Sequence, residues 1–446
     1  MRFLGSPWLP LGVLFAISLI ARRLQGSWFA PSAFAGLLWS FYIVVPMVAT
    51  EDHISAQTVW LITCLIGCLQ VGAFIFEFPR DRRASEASTW RESLSAAGDK
   101  YLRLSLFLAG IALASVIVYA AIWLRSLGLG FSLQGFFSMG RLMYDILVGG
   151  EPDLWWYRLA RMWVFPSAIL GGAAAALVTS RTRKLLSLTS FVPSLMMAIS
   201  VASRLGTGLT IACWVCGYLS AKCYATRGHF RVGVRFATSV VLIACATVTI
   251  YVGLYALRGS DLAEVSGGSV MISSDLLSYL PVFDSWVRSG GGHSLSLGAY
   301  SVGGLFELSG LKTRVRALDY EPVVLESGIT SNIYTAFRGL IDDFSLPGSM
   351  FLLVIAGAFG GRAYTQLCSG HLSSMWVLAA YYVYLLWSPI MSAFYYNSVL
   401  LALLVAALVI RDSPKKSRLI MSTVSGGIFL ESKGLAAGTR EARPGS

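Results

Sequence analysis

Apolar residues in this chain gather into long unbroken runs, not into the three-and-four spacing of a helix that is half wet. The runs fall near 7–21, 28–49, 56–78, 104–124, 160–180, 185–203, 207–225, 236–257, 346–367, 373–394 and 397–410. An α-helix needs about 20 such residues to cross a hydrocarbon core, and only helices or closed barrels satisfy their own backbone there. The pattern predicts an all-α polytopic integral membrane protein with about eleven transmembrane helices. The first and last runs are short, so ten or twelve spans also fit. Only Arg2 precedes the first run and no small-x-small cleavage site follows it, so it is expected to stay as a span and not to be removed as a signal peptide.

Four parts follow from this map. Residues 1–257 hold eight spans and an external loop at about 125–159. Residues 258–345 form a large external loop, 346–410 carry the last three spans, and 411–446 form a basic tail expected to be mobile. A loop as long as 258–345 is usually functional. Within it, Leu276, Leu280, Phe283 and Val287 recur at helical spacing, as expected of a helix lying on the membrane surface. The glycine-split run Ser294–Leu311 reads as a re-entrant or cavity-lining segment, because irregular backbone at membrane depth must be covered by protein or water.

Composition agrees with the bilayer as solvent. Of 446 residues, 56% are apolar and 13% charged, with a net charge of +12, against roughly a quarter charged in soluble domains. A cytosolic enzyme, a disordered chain and a disulfide-stapled secreted domain are excluded. Nucleic-acid binding is not expected, because the basic residues sort by loop. One set of loops, with the tail, holds 23 basic and 8 acidic residues; the other holds 12 and 15. Basic loops stay cytoplasmic, which places the N-terminus and residues 258–345 outside and the C-terminus inside. The seven cysteines lie in or beside apolar runs, and Cys213 and Cys216 have no second pair to make a metal site. No phosphate-binding glycine loop or Asp-x-Asp motif is present, so neither cofactor nor metal is expected.

The chemistry is expected in the external loops. Their cations are ten arginines against one lysine: Arg125, Arg141, Arg158, Arg161, Arg204, Arg258, Arg288, Lys312, Arg314, Arg316 and Arg338. The planar guanidinium fork suits phosphate, although contact with lipid headgroups explains interfacial arginines equally. Arg204 sits in a short turn between two spans. Residues 328–350, GITSNIYTAFRGLIDDFSLPGSM, place Thr330, Ser331 and Asn332 as a cap before a helix with Tyr334, Arg338 and Asp342 along one face. That stripe suits a charged, hydroxyl-rich ligand, or only an ion pair that steadies the helix.

Here the chain resembles the Wzy-type O-antigen and capsule repeat-unit polymerases. The resemblance lies in Thr330-Ser331-Asn332-x-Tyr334-Thr335-x-Phe337-Arg338, Asp343-Phe344 and Gly348, with Tyr279-Leu280-Pro281, Tyr300-Ser301 and Ser203-Arg204. The family commonly has glycine where Ser345 stands, and the related O-antigen ligases have histidine where Ser331 stands. The resemblance implies a GT-C-like, metal-independent membrane glycosyltransferase of lipopolysaccharide or capsule biosynthesis in the bacterial cytoplasmic (inner) membrane. Its substrates would be undecaprenyl-pyrophosphate-linked oligosaccharides, and a chain-length regulator and a flippase would be its partners. Arg338, Arg204 and Arg258 would then stabilise the departing pyrophosphate. Asp343, Asp342, Glu326 and His293 are the candidates for the base, and Asn332 and Tyr334 would hold sugar hydroxyls. An O-antigen ligase and a lipid-linked oligosaccharide transporter remain the alternatives. Few charges stand mid-span, which disfavours an ion-coupled carrier.

Overall fold

The computed structural model describes residues 5–77, 87–148, 155–201, 204–229, 277–291, 295–310 and 320–411, with a few isolated positions between 233 and 253. Most of the expected span 236–257 and the whole tail after Arg411 lie outside the described residues, as do Arg258, His293, Lys312, Arg314 and Arg316. Seven described segments are helices long and apolar enough to cross a membrane: Trp8–Gln25, Pro31–Ala49, Ala56–Phe76, Leu94–Ser126, Trp155–Leu177, Arg181–Val201 and Ala336–Cys368. Helix Arg204–Thr226 and the shorter apolar helices Leu372–Trp387 and Asn397–Val409 pack among them. Among the described residues the only sheet is a two-residue hairpin, Val323–Val324 paired with Thr330–Ser331.

Without a hydrophobic driving force between helices in lipid, close packing must hold such a bundle together. Glycines supply it at two seams. Gly72, Gly357 and Gly361 bring Ala56–Phe76 and Ala336–Cys368 together so closely that a β-carbon on any of them would meet the facing backbone carbonyl of Val354, Leu69 or Ala73. Gly172 and Gly217 do the same between Trp155–Leu177 and Arg204–Thr226, against Trp214 and Ile169 carbonyls. Gly357→Val is therefore expected to separate the first pair of helices, read as loss of the folded species in thermal unfolding.

The polar contacts gather at two opposite ends of the bundle. At one end Arg183 meets Asp99 at 2.6 Å, Lys100 Nζ donates to the Val409 carbonyl at 3.0 Å, and Thr365 Oγ1 donates to the Phe76 carbonyl at 2.7 Å. There the buried Glu77 carboxylate accepts from the backbone N–H and the hydroxyl of Ser32 at the start of Pro31–Ala49. At the other end the described segments between residues 277 and 335 form a cap. Asp52 accepts from Ser327 N–H and hydroxyl at 2.8 and 3.1 Å, and Asp284 accepts from the Ser55 N–H at 2.9 Å. Tyr279 donates to the Tyr42 carbonyl at 2.5 Å.

The apolar face of helix Tyr279–Arg288 packs on protein, with Leu280, Val282 and Phe283 fully buried. Two local expectations are corrected. Thr330 and Ser331 are strand, not cap, since Val323 and Val324 give them β-branched partners. The helix starts at Ala336 with Thr335 as its N-cap residue. That helix is broken once, at Ser345, whose φ of 62° and ψ of 171° belong to a region natural to glycine, with Pro347 following. Ser345→Gly is therefore expected to raise the unfolding midpoint, by relief of about 1 kcal/mol of backbone strain. A lowered midpoint would show that the serine hydroxyl, not the backbone, decides the bend.

Candidate functional site

Arg338 is the third residue of helix Ala336–Cys368, in its first turn. Its guanidinium lies 3.7 Å from the ring centre of Tyr334 and 3.8 Å from that of Tyr320, with Trp286 at 5.6 Å. The two rings meet the cation from adjacent directions, their centres 5.1 Å apart and their planes tilted by 55°, so they pack against it without sandwiching it. Nε approaches Asp342 Oδ2 at 3.4 Å, about half an ångström longer than a charge-assisted hydrogen bond. Nη1 is buried and has no hydrogen-bond partner among the described residues. A guanidinium with one loose carboxylate and one idle donor is poised for a further acceptor in its own plane.

The aromatic walls are themselves held. Tyr334 donates to the Glu321 carbonyl at 3.0 Å, and Tyr300 stacks on Tyr320 at 4.9 Å, 14° from parallel. Burial, and after it the neighbouring Asp342 carboxylate, push the Tyr320 phenol well above its ordinary pKa, so it stays neutral. Tyr300 is in turn placed by Asp343. That carboxylate is fully buried and accepts from Tyr300 N–H at 3.1 Å, Ser301 N–H at 2.7 Å and Ser301 hydroxyl at 2.6 Å. The carbonyls of Asp342 and Asp343 also accept from Ser296 and Leu297, each at 3.1 Å. Segment 295–302 is thus pinned to the Arg338 helix, and Gly339 leaves room for Tyr300, whose Cβ would sit 3.1 Å from any β-carbon there.

No family model, curated protein or solved structure matches the chain. The site therefore rests on its own geometry.

Of the residues singled out from sequence, the fold brings Arg338, Asp342 and Tyr334 together. Tyr334 reaches Arg338 from the loop before the helix, not from the same helical face. Asp343 faces the pinned segment with its oxygens occupied, which fits an anchor better than a base. Glu326 is exposed in the hairpin turn and pairs with Arg288 at 3.7 Å. Asn332 is partly buried beyond the second strand. Arg204 opens helix Arg204–Thr226. Its backbone is described, its side chain is not.

Sequence reading missed Tyr320 and Trp286, and it missed the roles of Asp52 and Asp284 in tying the cap down. Tyr279-Leu280-Pro281 was the nearest signal, because it opens the helix that carries Asp284 and Trp286. Among the described residues no group of three or more His, Cys, Asp or Glu is placed to hold a metal ion.

Proposed function

We propose that this chain is a GT-C-like polysaccharide polymerase of the bacterial inner membrane, with about eleven spans and the Arg338 cap facing outward. It would join undecaprenyl-pyrophosphate-linked repeat units by moving the growing glycan onto the non-reducing-end sugar of an incoming unit. The observation that carries the reading is the under-satisfied Arg338 edge, presented in the cap of an apolar bundle. The motif around it supports the same reading.

In the reaction an acceptor hydroxyl attacks the donor sugar's anomeric carbon. The bond from that carbon to the phosphate oxygen breaks, and its electron pair leaves with the pyrophosphate. Negative charge grows on that oxygen, and Arg338 Nη1 is the idle donor for it. As Arg338 turns toward phosphate, its hold on Asp342, already long at 3.4 Å, loosens further. The freed carboxylate then takes the proton from the acceptor hydroxyl. Arg204 and Arg258 complete the proposed clamp.

The test is purified protein in proteoliposomes supplied with the lipid-linked repeat unit. A ladder of polymer supports the reading. Transfer to lipid A makes the chain a ligase, and movement of the unit across the bilayer without bond formation makes it a transporter.

A further inference from the structure

At the end of the bundle opposite the Arg338 cap, neighbouring cations have different surroundings. Arg183 Nη1 donates to both oxygens of Asp99, at 2.6 and 2.8 Å, and Lys100 Nζ donates to the Val409 carbonyl at 3.0 Å. Those two are engaged inside the fold. The adjoining Lys184 is exposed, and Asp99 is already taken. Lys184 meets a second cation instead. Lys222, half-buried near the end of helix Arg204–Thr226, is close enough for the Lys184 charge to act on it.

Hydrogen bonds hold the two lysines in this arrangement. Trp214 Nε1 donates to the Ser187 carbonyl at 3.4 Å, and Ser187 Oγ donates to the Lys184 carbonyl at 2.6 Å. Helix Arg204–Thr226 is thereby fixed beside the turn that follows Lys184. Lys222 lies eight residues beyond Trp214, about 12 Å along the axis. Trp214, Tyr218 and Lys222 recur at a spacing of four, so they share one face of the helix, and all three are partly exposed. The Trp214 and Tyr218 rings stack at 5.7 Å, 8° from parallel, and Phe191 meets Trp214 at 5.8 Å. A stripe of aromatic rings thus leads from the paired ammoniums along the apolar helix.

We propose that Lys184 and Lys222, with the Phe191–Trp214–Tyr218 stripe, bind one anionic phospholipid, its phosphate between the two ammoniums and an acyl chain along the rings. The site lies apart from the Arg338 cap and does not depend on the polymerase reading. A lone lysine at such a level would only reach for bulk headgroups. Two held together repel each other, and a single phosphate between them reverses the sign of that interaction. Charge complementarity therefore selects an anionic headgroup, because a zwitterionic one brings its own ammonium toward the pair. The stripe selects a lipid over a free phosphate, since ring faces and edges pack well against acyl C–H groups. Bound there, the lipid ties helix Arg204–Thr226 to the segment Arg181–Val201.

The test uses the full chain, stripped of lipid in detergent, with phosphatidylglycerol, phosphatidylcholine and glycerol phosphate, which carries the charge without the chains. Retained lipids are counted by native mass spectrometry, and thermal unfolding is followed in parallel. Wild type is expected to retain phosphatidylglycerol in preference to phosphatidylcholine, to melt higher with it, and to show no rise with glycerol phosphate. Lys184→Gln combined with Lys222→Gln is expected to shift half-saturation by phosphatidylglycerol about thirtyfold, and Lys184→Gln alone about fivefold. Without lipid, both variants are expected to melt at or above wild type, because a repelling pair is relieved. Arg22→Gln combined with Arg23→Gln removes the same charge from the last turn of helix Trp8–Gln25 and is expected to leave the preference as in wild type. No preference for phosphatidylglycerol in wild type overturns the proposal, as does an unchanged preference in the double lysine variant. An equal loss in the arginine control also overturns it, since net charge alone then accounts for binding. A rise with glycerol phosphate equal to that with phosphatidylglycerol makes this a site for soluble phosphate and overturns the lipid assignment.

Discussion

Arg338→Ala is expected to lower the initial rate of polymer formation by about 10² to 10³-fold, the range for removing one preorganised donor from developing negative charge. Arg338→Lys should recover little. Lysine has no planar fork to lay against the Tyr334 and Tyr320 rings, and its ammonium is a point charge with a stronger hold on water. The alanine change also leaves Asp342 without its cation, and Asp342 is only 6% exposed. A loss of activity through misfolding is separated by following thermal unfolding of the same variant. If Arg338→Ala melts like wild type and still makes no polymer, the loss belongs to the chemistry. A rate within a few-fold of wild type in a well-folded Arg338→Ala protein removes Arg338 from the mechanism.

The largest stability effect is expected at Asp343. Its carboxylate, fully buried, accepts three hydrogen bonds from Tyr300 and Ser301. Asp343→Ala leaves those donors unanswered, and each buried donor without an acceptor costs about 1–3 kcal/mol. A loss of about 3 kcal/mol or more is therefore expected, read as a lowered unfolding midpoint together with protease sensitivity in segment 295–302. Asp343→Asn should lie between, because its oxygen can still accept while its NH2 opposes the remaining donors. A general base would behave otherwise: Asp343→Asn would keep the wild-type midpoint and lose only the rate. That outcome would overturn the anchor assignment and return Asp343 to the chemistry.

How much of this was legible from sequence divides along physical lines. Long apolar runs have one stable solution in lipid, so the helices at Pro31–Ala49, Ala56–Phe76 and Trp155–Leu177 stand close to where hydropathy put them. The Arg338–Asp342 pair was also readable, because spacing of four on a helix places two side chains side by side. The cap was less readable. Its helix Tyr279–Arg288 has the amphipathic pattern of a membrane-surface helix, and periodicity cannot say whether protein or lipid covers an apolar face. Tyr320, 18 residues before Arg338, and Trp286, 52 before it, meet the guanidinium only through tertiary folding. Asp343 was singled out as a candidate base, but whether a buried carboxylate acts or anchors depends on what donates to it, and Tyr300 and Ser301 are more than 40 residues away.

Ser345 shows the reverse relation. The departure from glycine at that position raised the prospect of a different turn, yet the backbone adopts a glycine-like φ of 62° with serine in place. The bend between the Arg338 turn and the following span is thus kept at the expense of local strain, a pattern common where geometry serves a site.

The central claim is that Arg338, packed against the Tyr320 and Tyr334 rings, takes the pyrophosphate of a lipid-linked sugar. The direct measurement is binding of undecaprenyl pyrophosphate to wild type and to Arg338→Ala in nanodiscs, with undecaprenol as the uncharged control. Wild type is expected to bind the pyrophosphate at least tenfold more tightly than the alcohol, and Arg338→Ala to abolish most of that difference. Equal preference for pyrophosphate over alcohol in the two proteins would contradict the account.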